Sequence, residues 1–213
     1  MNIREWITNN LENDSIVLEA GMYDGKDTLF FSNYFTEGKI YGFEPIPSLF
    51  LQASQVLRNQ TNVEISNMAL SDVTGKSKIF LSDRFGQVAG SSSLLNPKDH
   101  LGVHPQITFK EEVDVDTINL DEWFESKGLD TIDFMWLDMQ GYEPIVLKNS
   151  PNILSKTKYI YTEVSLIETY DSVMLYPEYK KFLEENGFEV IDEELPWEDM
   201  GNVLFKNKKI NKL

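Results

Sequence analysis

The feature that most constrains this chain is a repeated alternation of short apolar runs with segments of helical spacing. SIVLEA (15–20) stops at the turn GMYDG and gives way to DTLFFSNYF; KIYGFE (39–44) gives way to SLFLQASQVLRN, and VEISNMAL (63–70) follows. Short apolar runs bounded by turns read as buried strands, and recurrence every three to four residues reads as helix. Units of this kind in series build a parallel sheet with helices on its faces. After an interruption the pattern resumes: LDEWFESKG reads as a helix ended by Gly128, TIDFMWLD as a buried strand, and EPIVLKNSPNIL as one helical stretch with Pro144 in its first turn. YIYTEV is a further strand, PEYKKFLEENG a helix from Pro177 to Gly187, and FEVIDEEL with GNVLFKN two final strands. The predicted fold is α/β: a doubly wound, mostly parallel seven-stranded sheet with an antiparallel last strand.

Local signals refine this outline. Ile3, Trp6, Ile7 and Leu11 recur at helical spacing, so residues 1–14 form an amphipathic lead-in helix. The helix after the first turn is expected to be capped near Asp24 or Asp27, and the next by Ser48 after Pro47. Residues 71–117 break the alternation, with exposed strands in GKSKIFLS and ITFKEEVDVDTI and a loop, AGSSSLLNPKDHLGVHP, between them. They are read as a β/loop insertion after the third strand, within one domain spanning 1–213. A length of 213 residues with 41% hydrophobic content supports one well-buried core.

Charge and cysteine usage exclude several functions. Thirty-five acidic against 19 basic residues give a net charge of -16, which repels a phosphate backbone and an anionic membrane surface. With no Cys there is no disulfide, thiolate zinc site or cysteine nucleophile. The opening MNIREWITNN lacks the apolar run of a signal peptide, and no stretch approaches the roughly 20 apolar residues of a membrane span. A cytosolic protein without nucleic-acid or membrane partners is expected, with homo-oligomerisation left open.

In an open α/β sheet, ligands bind beyond the carboxyl ends of the strands where strand order reverses. Here those ends are acidic: Glu19 and Asp24 around the first turn, Glu44 after the second strand, Asp138 after TIDFMWL and Glu163 in YIYTEV. Gly21 and Gly25 allow tight bending and close approach of a ligand. The turn's E-x-G-x-x-x-G spacing is not the G-x-G-x-x-G that seats a pyrophosphate on a helix N-terminus. A zwitterion carrying an ammonium and a sulfonium suits Glu19 and Asp24 better. Glu44, about 20 residues on, suits the hydroxyls of a ribose. Tyr23 and Trp136 are aromatic faces available to a sulfonium, or simply core.

On LEAGMYDGKDT, YGFEP, NMALSDVTGKSKIF, SSSLL, VDTINLDEW and IDFMWLDMQGYEPIVLKN, the chain resembles the FkbM-type family of Rossmann-like, class I S-adenosylmethionine-dependent methyltransferases. The resemblance implies that Glu19, Gly21 and Gly25 line the methionine end of S-adenosylmethionine, Glu44 the ribose, and Met68 with Ala69 the adenine. It places Asp138 at the methyl-transfer centre and implies O-methylation of a small-molecule or glycan acceptor. One departure stands out. The family's D-x-E-G-x-E is DMQGYE here, so Gln140 replaces an acid and cannot serve as a base.

A hydroxyl acceptor must lose its proton, and Asp138 and Glu163, on adjacent strand ends, offer a base or, as a weaker alternative, oxygen ligands for Mg²⁺. His100 and His104 lie four apart, but Pro105 opposes a helix at His104. A loop at 91–104 acting as a lid or acceptor surface is expected, rather than a zinc pair. The alternatives are a methyltransferase-like domain that binds without turnover, which Gln140 keeps open, and an NAD-dependent oxidoreductase, disfavoured by the missing glycine pattern.

Overall fold

The computed structural model describes residues 1–210; the last three residues of the expected domain lie outside them. Helix α1 (Ile3–Asn10) precedes the series β1 (Ile16–Ala20), α2 (Lys26–Tyr34), β2 (Lys39–Phe43), α3 (Pro47–Leu57), β3 (Val63–Ser66). The series resumes with α5 (Leu120–Lys127), β8 (Ile132–Leu137), α6 (Glu143–Lys148), α7 (Pro151–Ser155) and β9 (Thr157–Ser165), and ends with α8 (Tyr176–Glu185), β10 (Phe188–Glu194) and β11 (Met200–Asn207). Between them lie β4 (Ala69–Ser71), β5 (Gly75–Arg84), β6 (Gln87–Val88), α4 (His100–Val103) and β7 (Thr108–Asn119).

The main sheet runs β10-β11-β9-β8-β1-β2-β3. Its pairings from β3 through β9 are parallel, and β11 is antiparallel to both neighbours, as the sequence pattern predicts for the doubly wound, Rossmann-like arrangement. Alternation along the strands covers both faces. Val17, Ile40 and Phe134 pack with Ile7 of α1 and with Phe31 and Phe35 at α2, whereas Leu18, Tyr41 and Met135 pack with residues of α5 to α8. Fully buried side chains such as Phe31 and Phe134 each contribute about 1.5–3 kcal/mol of transfer free energy. Strand order reverses between β1 and β8, so the crevice at their carboxyl ends is the topological switch point. Among the described residues no helix is long and apolar enough to cross a membrane.

Several local expectations are corrected. VEISNMAL is not one strand: after β3 the Asn67 amide donates to the carbonyls of Glu44 and Pro45 at 2.8 and 3.0 Å. This turns the chain, and β4 joins a second sheet of order β4-β7-β5-β6. The insertion is therefore built on its own sheet, with β4 parallel to β7 and β5 antiparallel to it. Helix α2 is capped by Gly25 in a left-handed conformation, and α3 by Ile46 with Pro47 at its first turn, so Asp24, Asp27 and Ser48 are not N-caps. EPIVLKNSPNIL splits into α6 and α7 because Pro151 keeps Ser150 out of the helical region. Residues 100–103 form a short helix within the predicted loop, and His100 is fully buried.

Asn119, at the end of β7, ties the second sheet to helices α5 and α6. Its Oδ1 accepts the Asp121 and Glu122 N–H groups as the α5 cap, and its Nδ2 donates to the carbonyls of Asp72 and Asn149, both at 3.0 Å. Asn119→Ala removes the cap and strands two carbonyls, and is expected to cost about 2–4 kcal/mol in urea unfolding. A loss under about 1 kcal/mol would show that the junction is held by apolar packing instead.

Candidate functional site

A cavity of about 310 Å³ opens at the switch point, within the usual range for a small-molecule site. Its floor is the crossing of the first turn with the end of β8. Gly21 has φ +82°, and a Cβ placed on it would lie 1.8 Å from the Asp138 carbonyl oxygen. Asp138 N–H donates to the Ala20 carbonyl at 2.9 Å, and Gly21 N–H to Phe43 at 3.0 Å. Only glycine permits this contact.

Glu19, Gly21, Tyr23, Asp24, Glu44, Met68, Ala69 and Asp138 all line the cavity. Gly25 does not: its Cα packs α2 against Ala53 of α3, where a Cβ would stand 3.0 Å away. Glu163 also lies outside the lining, behind Gln140. The insertion supplies a wall missed by strand-end reasoning, including Ile79, Ala89, Gly90, Ser92, Ser93 and Leu94. The motif SSSLL was the available signal. Tyr23, at φ +50°, closes this wall by donating its hydroxyl to the Val88 carbonyl at 3.2 Å. A shallower neighbouring groove shares Tyr23, Ala89 and Gly90 and is edged by Arg84 and the exposed Phe85. Trp136 lines the cavity while packing in a tilted arrangement on Tyr161, ring centroids 4.6 Å apart, so it is both wall and core. Ser92 and Ser93 put part of the expected 91–104 surface at the cavity; His100 packs instead against Phe109 and Tyr170. His104 faces Asp199 at 2.7 Å.

The lining is acidic, and among the described residues no Lys, Arg or His lines it. Glu19 is 2% exposed, and its Oε2 has no hydrogen-bond partner. Burial lifts its carboxyl from 4.5 to about 8, with the Thr28 hydroxyl opposing the shift and Asp27, Asp138 and Asp24 adding to it. Glu44 accepts Tyr23 N–H at 3.0 Å and Ile46 N–H at 2.8 Å, which orients both carboxylate oxygens. Burial still raises it to about 7 against those two bonds. Each oxygen keeps a further lone-pair position for a ligand hydroxyl. Asp24 is partly engaged by Lys26, whose Nζ lies 2.6 Å from its Oδ2.

Beside the cavity, Asp138, Glu143 and Glu163 bring carboxylate oxygens within 4.8 Å of one another. Burial raises all three, Glu143 to about 8. Glu143 also accepts the Met139 N–H, closing the turn between β8 and α6. Gln140 Nε2 donates to Asp138 Oδ1 at 2.8 Å and to Glu163 Oε2 at 3.0 Å. An amide nitrogen thus stands between the two acids where a bridging cation would, which lends no support to Mg²⁺.

These residues fit a cationic nucleoside ligand. An unpartnered buried carboxyl oxygen and a wall without bases attract a cation and reject a pyrophosphate.

A family model described as Methyltransferase FkbM domain matches residues 19–190. The chain is 29% identical over 200 residues to the 2-O-methyltransferase NoeI of Sinorhizobium fredii, covering 92% of this chain and 81% of that protein. It is 25% identical over 198 residues to Methyltransferase 1 of Beauveria bassiana, covering 86% and 76%. Among solved structures it is similar to an rRNA methylase from Streptococcus thermophilus (TM-score 0.55, 16% identity, 96% of this chain and 93% of that one). It is also similar to Aeropyrum pernix fibrillarin, solved with bound S-adenosyl-L-methionine (TM-score 0.54, 16% identity, 91% and 66%). At these identities the structural matches establish the fold alone.

Because Glu19 has a raised folded-state pKa, its contribution to ligand-free stability is complete below about 4.5. It is lost as pH rises towards about 8, where the folded carboxyl also ionises. Glu19→Gln abolishes this titration. Relative to wild type the variant is expected to gain about 1 kcal/mol per pH unit between pH 5 and 7 in urea unfolding. Stability curves that stay parallel across that range would refute a buried, proton-holding Glu19.

Proposed function

As the chain belongs to the FkbM methyltransferase family, we propose that it is an S-adenosylmethionine-dependent O-methyltransferase acting on a hydroxyl of a small-molecule or glycan acceptor in the cytosol. The observation that carries this reading is the acidic cavity lining without a basic side chain. Glu19 and Asp24 would face the ammonium end of S-adenosylmethionine, Glu44 its ribose, and Met68 with Ala69 its adenine. When bound, the cofactor supplies an electrophilic methyl group on a sulfonium.

The chain's own work is to hold, orient and deprotonate. Asp138 has Oδ1 engaged by Gln140, and its Oδ2 forms no hydrogen bond with a described residue. In the proposed reaction that oxygen takes the acceptor's hydroxyl proton. A carboxyl raised by burial is better matched to this task near neutral pH than a solvated one. Glu163 acts from behind Gln140 and does not meet the acceptor. Positioning the acceptor supplies a further part of the barrier lowering. The groove edged by Tyr23, Arg84 and Phe85 offers an aromatic face and a cation beside the cavity, suited to a ring bearing hydroxyls. The similarity to a 2-O-methyltransferase supports oxygen as the methylated atom. The net charge of -16 supports an acceptor other than nucleic acid or a membrane surface.

Calorimetric titration is expected to give binding of S-adenosylmethionine and S-adenosylhomocysteine with proton release near pH 7, and no binding of NAD. Binding of NAD alone would overturn the assignment. Glu44→Gln should weaken both sulfur ligands about tenfold, since one ribose acceptor becomes a donor. Asp138→Asn should leave cofactor affinity within about threefold while lowering turnover by about 10²- to 10³-fold. Undiminished turnover would remove Asp138 from proton transfer, and cofactor binding without transfer to any hydroxyl acceptor would favour a non-catalytic role.

A further inference from the structure

We propose that Gln140 is the positioning residue of the proton-transfer centre: one amide nitrogen clamps Asp138 and Glu163 together and leaves the second Asp138 oxygen for the acceptor. The inference deepens the methyltransferase reading and rests on it for the role of Asp138.

The amide is held from every side. Its two N–H bonds go to Asp138 Oδ1 and Glu163 Oε2, at 2.8 and 3.0 Å. On the other side Tyr170, 1% exposed, directs its hydroxyl to the Ser91 carbonyl at 2.7 Å and to Gln140 Oε1 at 3.2 Å. The Ser93 hydroxyl donates to the Gln140 carbonyl at 2.9 Å. The backbone here is uncommon: Gln140 has φ +53°, and Gly141 follows at φ +91°, where a Cβ would lie 2.7 Å from Val173. A non-glycine residue in the left-handed region persists only where its surroundings hold it. Here Ser93 and Tyr170 come from the insertion and from the segment after β9, so two remote parts of the chain aim one amide.

The chemistry requires this orientation. A reversed amide would set three acceptors, its own oxygen and two carboxylates, against one another. A glutamate at this position would do the same with an added charge, and would need a proton or a cation to be tolerated. The neutral donor lets the buried Glu163 and the cavity-lining Asp138 sit side by side without either. Burial favours protonated carboxyls here, and the charges of Glu143, Asp27 and Asp199 and of the lining acids Glu19 and Glu44, which also face this cluster, add to it, while Tyr170 faces it as a neutral phenol. The two N–H bonds oppose that tendency at Asp138 and Glu163.

The test follows the carboxyl ¹³C signals of Asp138 and Glu163 against pH in the full chain, for wild type, Gln140→Glu and Tyr170→Phe. Gln140→Glu is expected to move both midpoints up by one pH unit or more, and Tyr170→Phe to move them the same way by less. The acidic limb of kcat should shift in parallel, with S-adenosylmethionine binding retained. A residue that merely supports the fold would lower stability and leave the midpoints and the limb in place. If Gln140→Glu does not fold, Tyr170→Phe carries the test. Coincident midpoints in the variants that fold overturn the proposal. Shifted midpoints without S-adenosylmethionine binding would uphold the clamp and overturn the methyltransferase reading; binding with coincident midpoints would do the reverse.

Discussion

The rest of this structure depends on the contact between Gly21 and the Asp138 carbonyl. Strands β1 and β8 are neighbours in the sheet although more than half the chain separates them, and their carboxyl ends meet where strand order reverses. With a Cβ position 1.8 Å from a carbonyl oxygen, any side chain at residue 21 would force the two strand ends apart. The first turn could not then bring Glu19 and Tyr23 into one cavity with Asp138. The glycine that looks like an ordinary turn residue is therefore a packing requirement, and the site inherits its geometry from it.

Around that contact the protein concentrates buried acids. Glu19, Glu44, Asp138, Glu143 and Glu163 are all raised by burial, and their mutual repulsion adds to the effect. A folded domain tolerates this when some carboxyls hold protons or when a cation arrives to compensate them. The same feature that reduces ligand-free stability as pH rises thus suits a cationic ligand. Gln140 is the local solution at the most crowded point, supplying two N–H donors where another carboxyl would have deepened the repulsion.

Much of the fold and part of the site were legible along the chain. The alternation of apolar runs and helical spacing led to the strand order's parallel core, because period and length report burial directly. Glu19, Gly21, Glu44 and Asp138 were singled out because strand ends converge at a switch point in any such sheet, and they line one cavity. Gly25 lies outside the cavity lining and packs instead against Ala53, a contact that no local pattern encodes. The division of VEISNMAL was missed because the Asn67 amide reaches back to the carbonyls of Glu44 and Pro45. His100 was placed in a loop, yet it is buried against Phe109 and Tyr170, a site assembled from distant segments.

By itself the sequence determined the layered α/β architecture, the acidity of the strand ends and the departure of the first turn from the glycine spacing that seats a pyrophosphate. These follow from period, residue type and spacing, which are local quantities. Only the tertiary structure decided which acids face the cavity, that Glu163 stands behind Gln140, and that the insertion closes the wall through Ser92 and Ser93. The pKa shifts belong to the same class, because desolvation depends on what the rest of the chain packs around a carboxyl, and no stretch of neighbouring residues carries that information.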